Sequence, residues 1–349
     1  MAADLFDLVT MTSIVSRTKT SPHYWLDQFF PTTINFDSEW IMWDKVFGDD
    51  RKLAPFVVPS AMGRPQKLDG YETLRFKPAY SKQKDVVDYT MILDRVAGEA
   101  LGGTLTLAQR RLAIKTELLR RQKVKQKNTQ NWLAARAIID GKVTISGEDY
   151  PTTLVDFRRD PNLTMVLTGA AKWDQATANP LADIRDMRIE AQGLSGARIR
   201  RVTFGGNAWE LFCLRVDVKE MMNKNYGGTN VNVTLINDGY PDSIEFMGTI
   251  AGSSGQGAID VYVDTSRYVD AAGVEQFHLD QNTVCGVSES VAGVRCFGAI
   301  MDNKADYKSL EFFTKNWEIE DPSQEYLLMQ SAPLMVPKEP NATYSIKVA

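Results

Sequence analysis

Histidine is almost missing from this chain of 349 residues: only His23 and His278 occur. Neither has a second histidine at ligand spacing, which excludes the H-E-x-x-H class of zinc site. A serine or cysteine nucleophile would need one of them as its base. His278 lies in the strand-like run Gln276-Phe277-His278-Leu279, where a structural role is expected. Cysteine is scarce too. Cys213, Cys285 and Cys296 are odd in number and lack C-x-x-C spacing, the pattern of reduced, buried thiols in a cytosol. No apolar run reaches the roughly 18 residues that a membrane-spanning helix needs. The opening Met1-Ala2-Ala3-Asp4 is not a secretion signal, and the glycosylation matches at Asn162, Asn232 and Asn341 are read as chance. The glycine-rich stretch 252–257 lacks both the G-x-x-x-x-G-K-[ST] and the G-x-G-x-x-G order, so it is a plain loop and not a phosphate cradle. Asp183 and Asp186 lie one helical turn apart, with no cleft to put them to acid–base use. The expectation is a chain without metal, cofactor or catalytic site.

A strong overall charge is also lacking. Net charge is −4, with 44% hydrophobic and 24% charged residues, an ordinary globular balance that length divides into two or three domains. The average conceals a segregation. Residues 107–139 hold nine basic side chains against one acid, Glu117, so the remainder carries the acidic excess. Charge asymmetry of this kind implies two surfaces facing two environments.

Residues 1–48 contain Trp25, Phe29, Phe30, Trp40 and Trp43 without a helical or strand period. Rings in that number do not float free in water, so the segment reads as an extended arm whose rings anchor on another surface. Residues 49–97 read as a long two-stranded flap. Phe56-Val57-Val58, Tyr71 to Lys77 and Val86 to Leu93 are strand-like. Its tip is marked by Met62, Gly63, Arg64, Pro65, Asp69 and Gly70. Too few apolar residues back the flap for it to stand alone, so a neighbouring subunit is its expected support.

A helix follows over 107–139, with Thr106 and Gln109 spaced for a capping box and Gly141 as its stop. At about 1.5 Å per residue it forms a rod about 50 Å long. Leu105, Leu112, Leu119 and Leu133 recur every seventh residue, with Gln126 in the missing slot, so its apolar seam is narrow. Strands are expected at 142–145 and 154–157. Beyond them come a helix opening at Asn179-Pro180, a strand over 198–204, a short helix holding Trp209, strands near 244, 259 and 284, and a last alternating strand over 342–348.

The cations of the long helix, Arg110, Arg111, Lys115, Arg120, Arg121, Lys123, Lys125 and Lys127, leave three readings open. They are solvated or paired across subunits, or they face duplex DNA, or they hold an acidic scaffold. Like charges at i,i+4, such as Arg111 with Lys115, repel unless something offsets them. A rod of this charge attracts duplex DNA without reading its sequence.

Near the C-terminus stand Lys315-Asn316-Trp317, Asp321-Pro322, Glu325 and Met329-Gln330-Ser331-Ala332-Pro333-Leu334-Met335. This run resembles the closing segment of the lambda-like tailed-phage major capsid proteins, the E-type coat family. Phe30-Pro31, Pro78-Ala79-Tyr80 with Lys82 and Lys84, Lys142-Val143-Thr144 and Trp209-Glu210-Leu211-Phe212 follow in the same order. The resemblance implies an α+β chain of the Hong Kong 97-type capsid fold: an arm (1–48), an extended-loop hairpin (49–97), a peripheral domain with a spine helix (98–165), an axial domain (166–310) and C-terminal strands that rejoin the peripheral domain (311–349). It implies pentamers and hexamers in an icosahedral virion head, built in the host cytoplasm with scaffold and portal proteins and filled with double-stranded DNA. A decoration protein is a further implied partner, and a membrane is not. The implied role of the spine helix is to face the interior, where DNA or scaffold would meet it. The rival reading from another class is a soluble DNA-compacting protein that uses the same basic helix.

Overall fold

The computed structural model describes residues 8–46, 56, 58–59, 62, 71–94, 105–147, 150–218, 244–250, 257–321 and 324–349. Among these, helices form at Leu8–Arg17 (α1), Tyr24–Phe29 (α2), Tyr89–Leu93 (α3), Leu107–Ile139 (α4), Pro180–Ser195 (α5) and Gly206–Leu214 (α6).

The long helix is specified at both ends. Thr106 Oγ1 accepts from the Gln109 amide and Gln109 Oε1 accepts from the Thr106 amide, the expected capping box. At the other end Gly141 takes a positive φ of 66° against Arg159. A side chain at 141 would collide with Arg159, whose guanidinium donates to the carbonyls of Ile138 and Ile139. Arg159 therefore supplies donors for two of the carbonyls a helix end leaves open. The same guanidinium donates to Thr164 and Ser345, tying the end of α4 to the last strand of the chain.

Three sheets build on this rod. A six-stranded sheet runs in the order Thr164–Val166, Thr343–Lys347, Thr283–Val287, Arg201–Gly205, Ile259–Asp264, Ile244–Ile250. One face buries Trp173, Phe204, Phe212, Tyr344 and Ile346 with α5 and α6. A three-stranded sheet of Phe313–Ile319, Gln324–Ser331 and Ser81–Val87 lies along the first half of α4. A second three-stranded sheet, Thr32–Asn35, Val294–Phe297 and Pro333–Val336, meets its second half.

Four expectations need correction. Residues 1–48 are extended only in part: Thr32–Asn35 and Ile41–Val46 are strands, while α1 and α2 are helices that fold back on the body of their own chain. Trp25, Leu26 and Phe30 have no exposed surface at all. The strand expected over Val86 to Leu93 ends at Val87, since the Asp88 carboxylate accepts from the Tyr89 amide and caps α3. The flap begins earlier than 49: Ile41–Val46 pairs antiparallel with Tyr71–Phe76, while Ser81–Val87 leaves it to pair with Gln324–Ser331. Finally, the C-terminal segment divides. Its strands Gln324–Ser331 and Pro333–Val336 pack on α4, and Thr343–Lys347 enters the six-stranded sheet. Thr343 and Ser345 are buried there, with Ser345 held by Arg159, while Lys347 stays exposed.

Candidate functional site

The basic helix is where sequence and structure part most. Lys115 is 2% exposed and pairs with the 4%-exposed Glu325. Arg111 bridges Glu325 and Glu318, which stand directly opposite one another across the hairpin. Two carboxylates in that register repel unless a cation lies between them. Burial alone would raise the Glu325 carboxyl. Hydrogen bonds from Lys115 and Asn316, with the charges of Lys115 and Arg111, outweigh it and hold the group below its usual range. Lys123 is also buried. Its ammonium donates to the carbonyls of Val15 and Thr18 at 2.6 Å, at the C-terminal end of α1. A cation belongs at that pole of a helix, and this one locks α1 to α4. Burial and the nearby Lys127 lower its pKa, with Glu311 opposing. Lys127 itself pairs with Glu311 at 2.6 Å.

Arg111, Lys115, Lys123 and Lys127 thus have partners within the subunit. The outward strip is shorter. Arg120, Arg121 and Lys125 are exposed, and Arg110 is half-buried. Arg120 and Arg121 share Glu117, whose carboxyl their hydrogen bonds lower to about 2. The buried face of α4 is amide-rich as well as apolar: Gln122 donates to Asp85 and Gln126 to Ser81. Sequence reasoning missed Glu311, Glu318 and Glu325 as partners. One signal was available, since folding 313–331 as a hairpin about Asp321-Pro322 sets Glu318 against Glu325.

The arm rings divide. Trp25 donates its indole N–H to the buried Asp264 carboxylate at 2.8 Å, and Tyr24 meets Thr203 at 3.0 Å. Burial raises the Asp264 carboxyl despite its donors Ser266 and Trp25. The amide of Leu26 donates to Asn131 on α4, and Arg295 clasps Asp27, Leu26 and Phe30. Helix α2 is therefore the joint between the long helix and the six-stranded sheet. Trp25, Phe29 and Phe30 are anchors in their own subunit; Trp43 is half-buried and Trp40 is 45% exposed.

The flap is the opposite case. Phe56 is 99% exposed, Met62 93% and Val58 66%. Of the expected tip, Met62 is described; Gly63, Arg64, Pro65, Asp69 and Gly70 lie outside the described residues. His278 is buried, stacked on Tyr268 and bonded to Asn131, and burial with the nearby Arg136 lowers it to about 4. Burial pushes the Cys285 and Cys296 thiols up to about 12. All three sit in packing roles.

A family model, "Phage major capsid protein E", matches residues 7–348. The chain belongs to this family. It is 27% identical over 331 residues to the major capsid protein of Enterobacteria phage P21, covering 93% of each chain. It is 27% identical over 305 residues to that of Escherichia phage lambda, covering 85% of this chain and 86% of lambda's. Among solved structures, the putative capsid protein of a prophage of E. coli CFT073 superposes with a TM-score of 0.72 at 22% identity, covering 99% of both chains. The fold is the α+β, Hong Kong 97-type capsid fold that the motif order implied.

Proposed function

We propose that the chain is the repeating subunit of an icosahedral phage head, closing pentamers and hexamers around double-stranded DNA. It is a structural protein rather than an enzyme, resident in the virion after assembly in the host cytoplasm with scaffold and portal proteins. The observation that carries the assembly reading is the flap. Phe56 and Met62 are almost wholly in water while Trp25 and Phe30 are wholly out of it. A chain that buries its leader this thoroughly leaves large apolar side chains outside where a partner receives them. Family membership supports a second copy as that partner.

For the interior contact, the supporting feature is now the strip Arg120, Arg121, Lys125 and half-buried Arg110. It attracts DNA or an acidic scaffold without sequence preference. Sedimentation of the purified chain tests the main reading. Heavy shells, or at least pentamers and hexamers, are expected. Deleting residues 60–70 is expected to leave the monomer folded and abolish shells, and an intact shell without them refutes the role given to the tip. A DNA compactor would instead stay small and shift duplex at low salt.

A further inference from the structure

Three sequence motifs that shell-building leaves without a role meet on one surface: Pro78 to Lys84, Lys315-Asn316-Trp317 and Gln330-Ser331-Ala332. The sheet they form separates charge across its two faces. Glu318, Glu325 and Asp85 point to α4, where Arg111, Lys115 and Gln122 meet them. The other face presents lysines and rings. Trp317 stacks on Tyr326 with centroids 5.5 Å apart, and the Lys84 ammonium lies 4.2 Å from the Tyr326 ring. Lys82 sits 5.2 Å from the Tyr80 ring. Both lysines are exposed, and no ion pair joins either to a carboxylate among the described residues. Lys315 on the same face is already paired with Asp302.

An apolar groove of about 310 Å³ adjoins this patch, walled by Pro78, Tyr80, Tyr150, Met301 and Ala332, with Lys82 on its rim. Among the described residues its one carboxylate, Glu39, is paired with Lys77 at 2.7 Å. The Tyr80 wall is fixed: its hydroxyl donates to Gln330 at 2.6 Å and accepts from the Met301 amide at 3.0 Å.

We propose that this face docks an extended acidic segment of a partner protein, with one apolar side chain in the groove and carboxylates on Lys82 and Lys84. Charge decides the class of occupant: two unneutralised cations beside a preformed apolar groove suit a short acidic, amphipathic peptide. Duplex DNA needs a longer row of phosphate contacts. Single strands need open ring faces, whereas Trp317 and Tyr326 are half-buried against each other.

The test is a fluorescein-labelled dodecapeptide of alternating glutamate and alanine with one central phenylalanine, titrated with the full chain at low salt. Wild type raises its anisotropy, and salt weakens the binding. Lys82→Gln with Lys84→Gln weakens it about tenfold, the sum of two exposed charge contacts, with urea unfolding unchanged because neither lysine is buried. Met301→Trp, which fills the groove, weakens the phenylalanine peptide and not its alanine counterpart. Equal binding by the lysine variant overturns the proposal, as does displacement of the peptide by an equimolar short duplex. It is also overturned if wild type ignores the peptide while the lysine variant loses its shells, which makes the face a contact between copies.

Discussion

Replacing Glu325 by Gln keeps its shape and removes its charge. The change removes the carboxylate that pairs with Lys115, 2% exposed, and one of the two that pair with Arg111. Removing one partner of a buried pair costs about 3–5 kcal/mol, because the remaining charge stays out of water. A loss of about 4 kcal/mol lowers the folded-to-unfolded ratio roughly a thousandfold. Urea unfolding of the unassembled subunit reads it as a lower midpoint with an unchanged slope. Lys115→Met is expected to cost less, since Glu325 keeps Arg111 and Asn316. Adding Lys115→Met to Glu325→Gln is then expected to recover part of the loss, a coupling that a double-mutant cycle isolates. The pH dependence follows from the sign of the shift. The Glu325 carboxyl is lower in the folded state than in the unfolded chain. Its contribution is therefore complete above the ordinary glutamate range and fades as pH falls through the folded value. In the Gln variant that component of acid sensitivity disappears. If Glu325→Gln costs under about 1 kcal/mol, or if the two changes simply add, the buried pair does not hold α4 to the sheet and the reasoning fails.

Trp25→Phe keeps an aromatic ring and removes the donor to Asp264. It is expected to cost about 1–3 kcal/mol in urea unfolding, and to steepen the loss of stability as pH rises above the ordinary aspartate range, because the folded carboxyl is already raised. Arg159→Met orphans two helix-end carbonyls along with Thr164 and Ser345; faster amide exchange in Thr343–Lys347 and at the end of α4 is the readout, and unchanged exchange contradicts the clamp. Phe56→Ser with Met62→Ser is expected to shift monomer stability by no more than about 0.5 kcal/mol, while sedimenting shells are lost. Neutralising Arg120, Arg121 and Lys125 with Gln tests the interior strip. If only these three and Arg110 reach phosphate, log K against log salt has a slope of about −3 to −4 in wild type, where all eight cations would give about −7. Retention of duplex unaltered by the triple variant returns the strip to a solvated face.

Local rules carried much of the fold. The capping box at Thr106 and the stop at Gly141 placed α4 to the residue, and Asn179-Pro180 placed the start of α5, because caps act over three or four residues of adjacent chain. The leader was misjudged for a converse reason. Tyr24 to Phe30 shows no period because its rings are buried on several sides at once, by Asp264 and Thr203, by α4, and by Arg295. An element buried all round has no polar face to set a rhythm. The final strand was legible as a strand, but its surroundings were not. Thr343 and Ser345 alternate with Tyr344 and Ile346 as on a half-exposed strand, yet Arg159, nearly two hundred residues earlier, turns the polar face into a buried one.

The basic helix shows most sharply what composition can and cannot say. Nine cations against one acid within 107–139 is a true property of the segment and a misleading one of the surface. Its neutralising acids arrive about two hundred residues later, Glu318 and Glu325 on paired strands and Glu311 just before them. A helix rich in cations opposite a sheet rich in acids is a stable interface only while both are present, so the charge run records a long-range contact within the subunit before it records any ligand. What remains outward is small, and it lies on the side of α4 away from the sheet. The lysines of that sheet's other face, Lys82 and Lys84, are the ones left without acids among the described residues. The sign of a segment therefore identifies its partner only after the fold has removed the charges it uses itself. Here that subtraction leaves exposed cations in two separate patches, Arg120, Arg121 and Lys125 on α4 and Lys82 and Lys84 on the sheet.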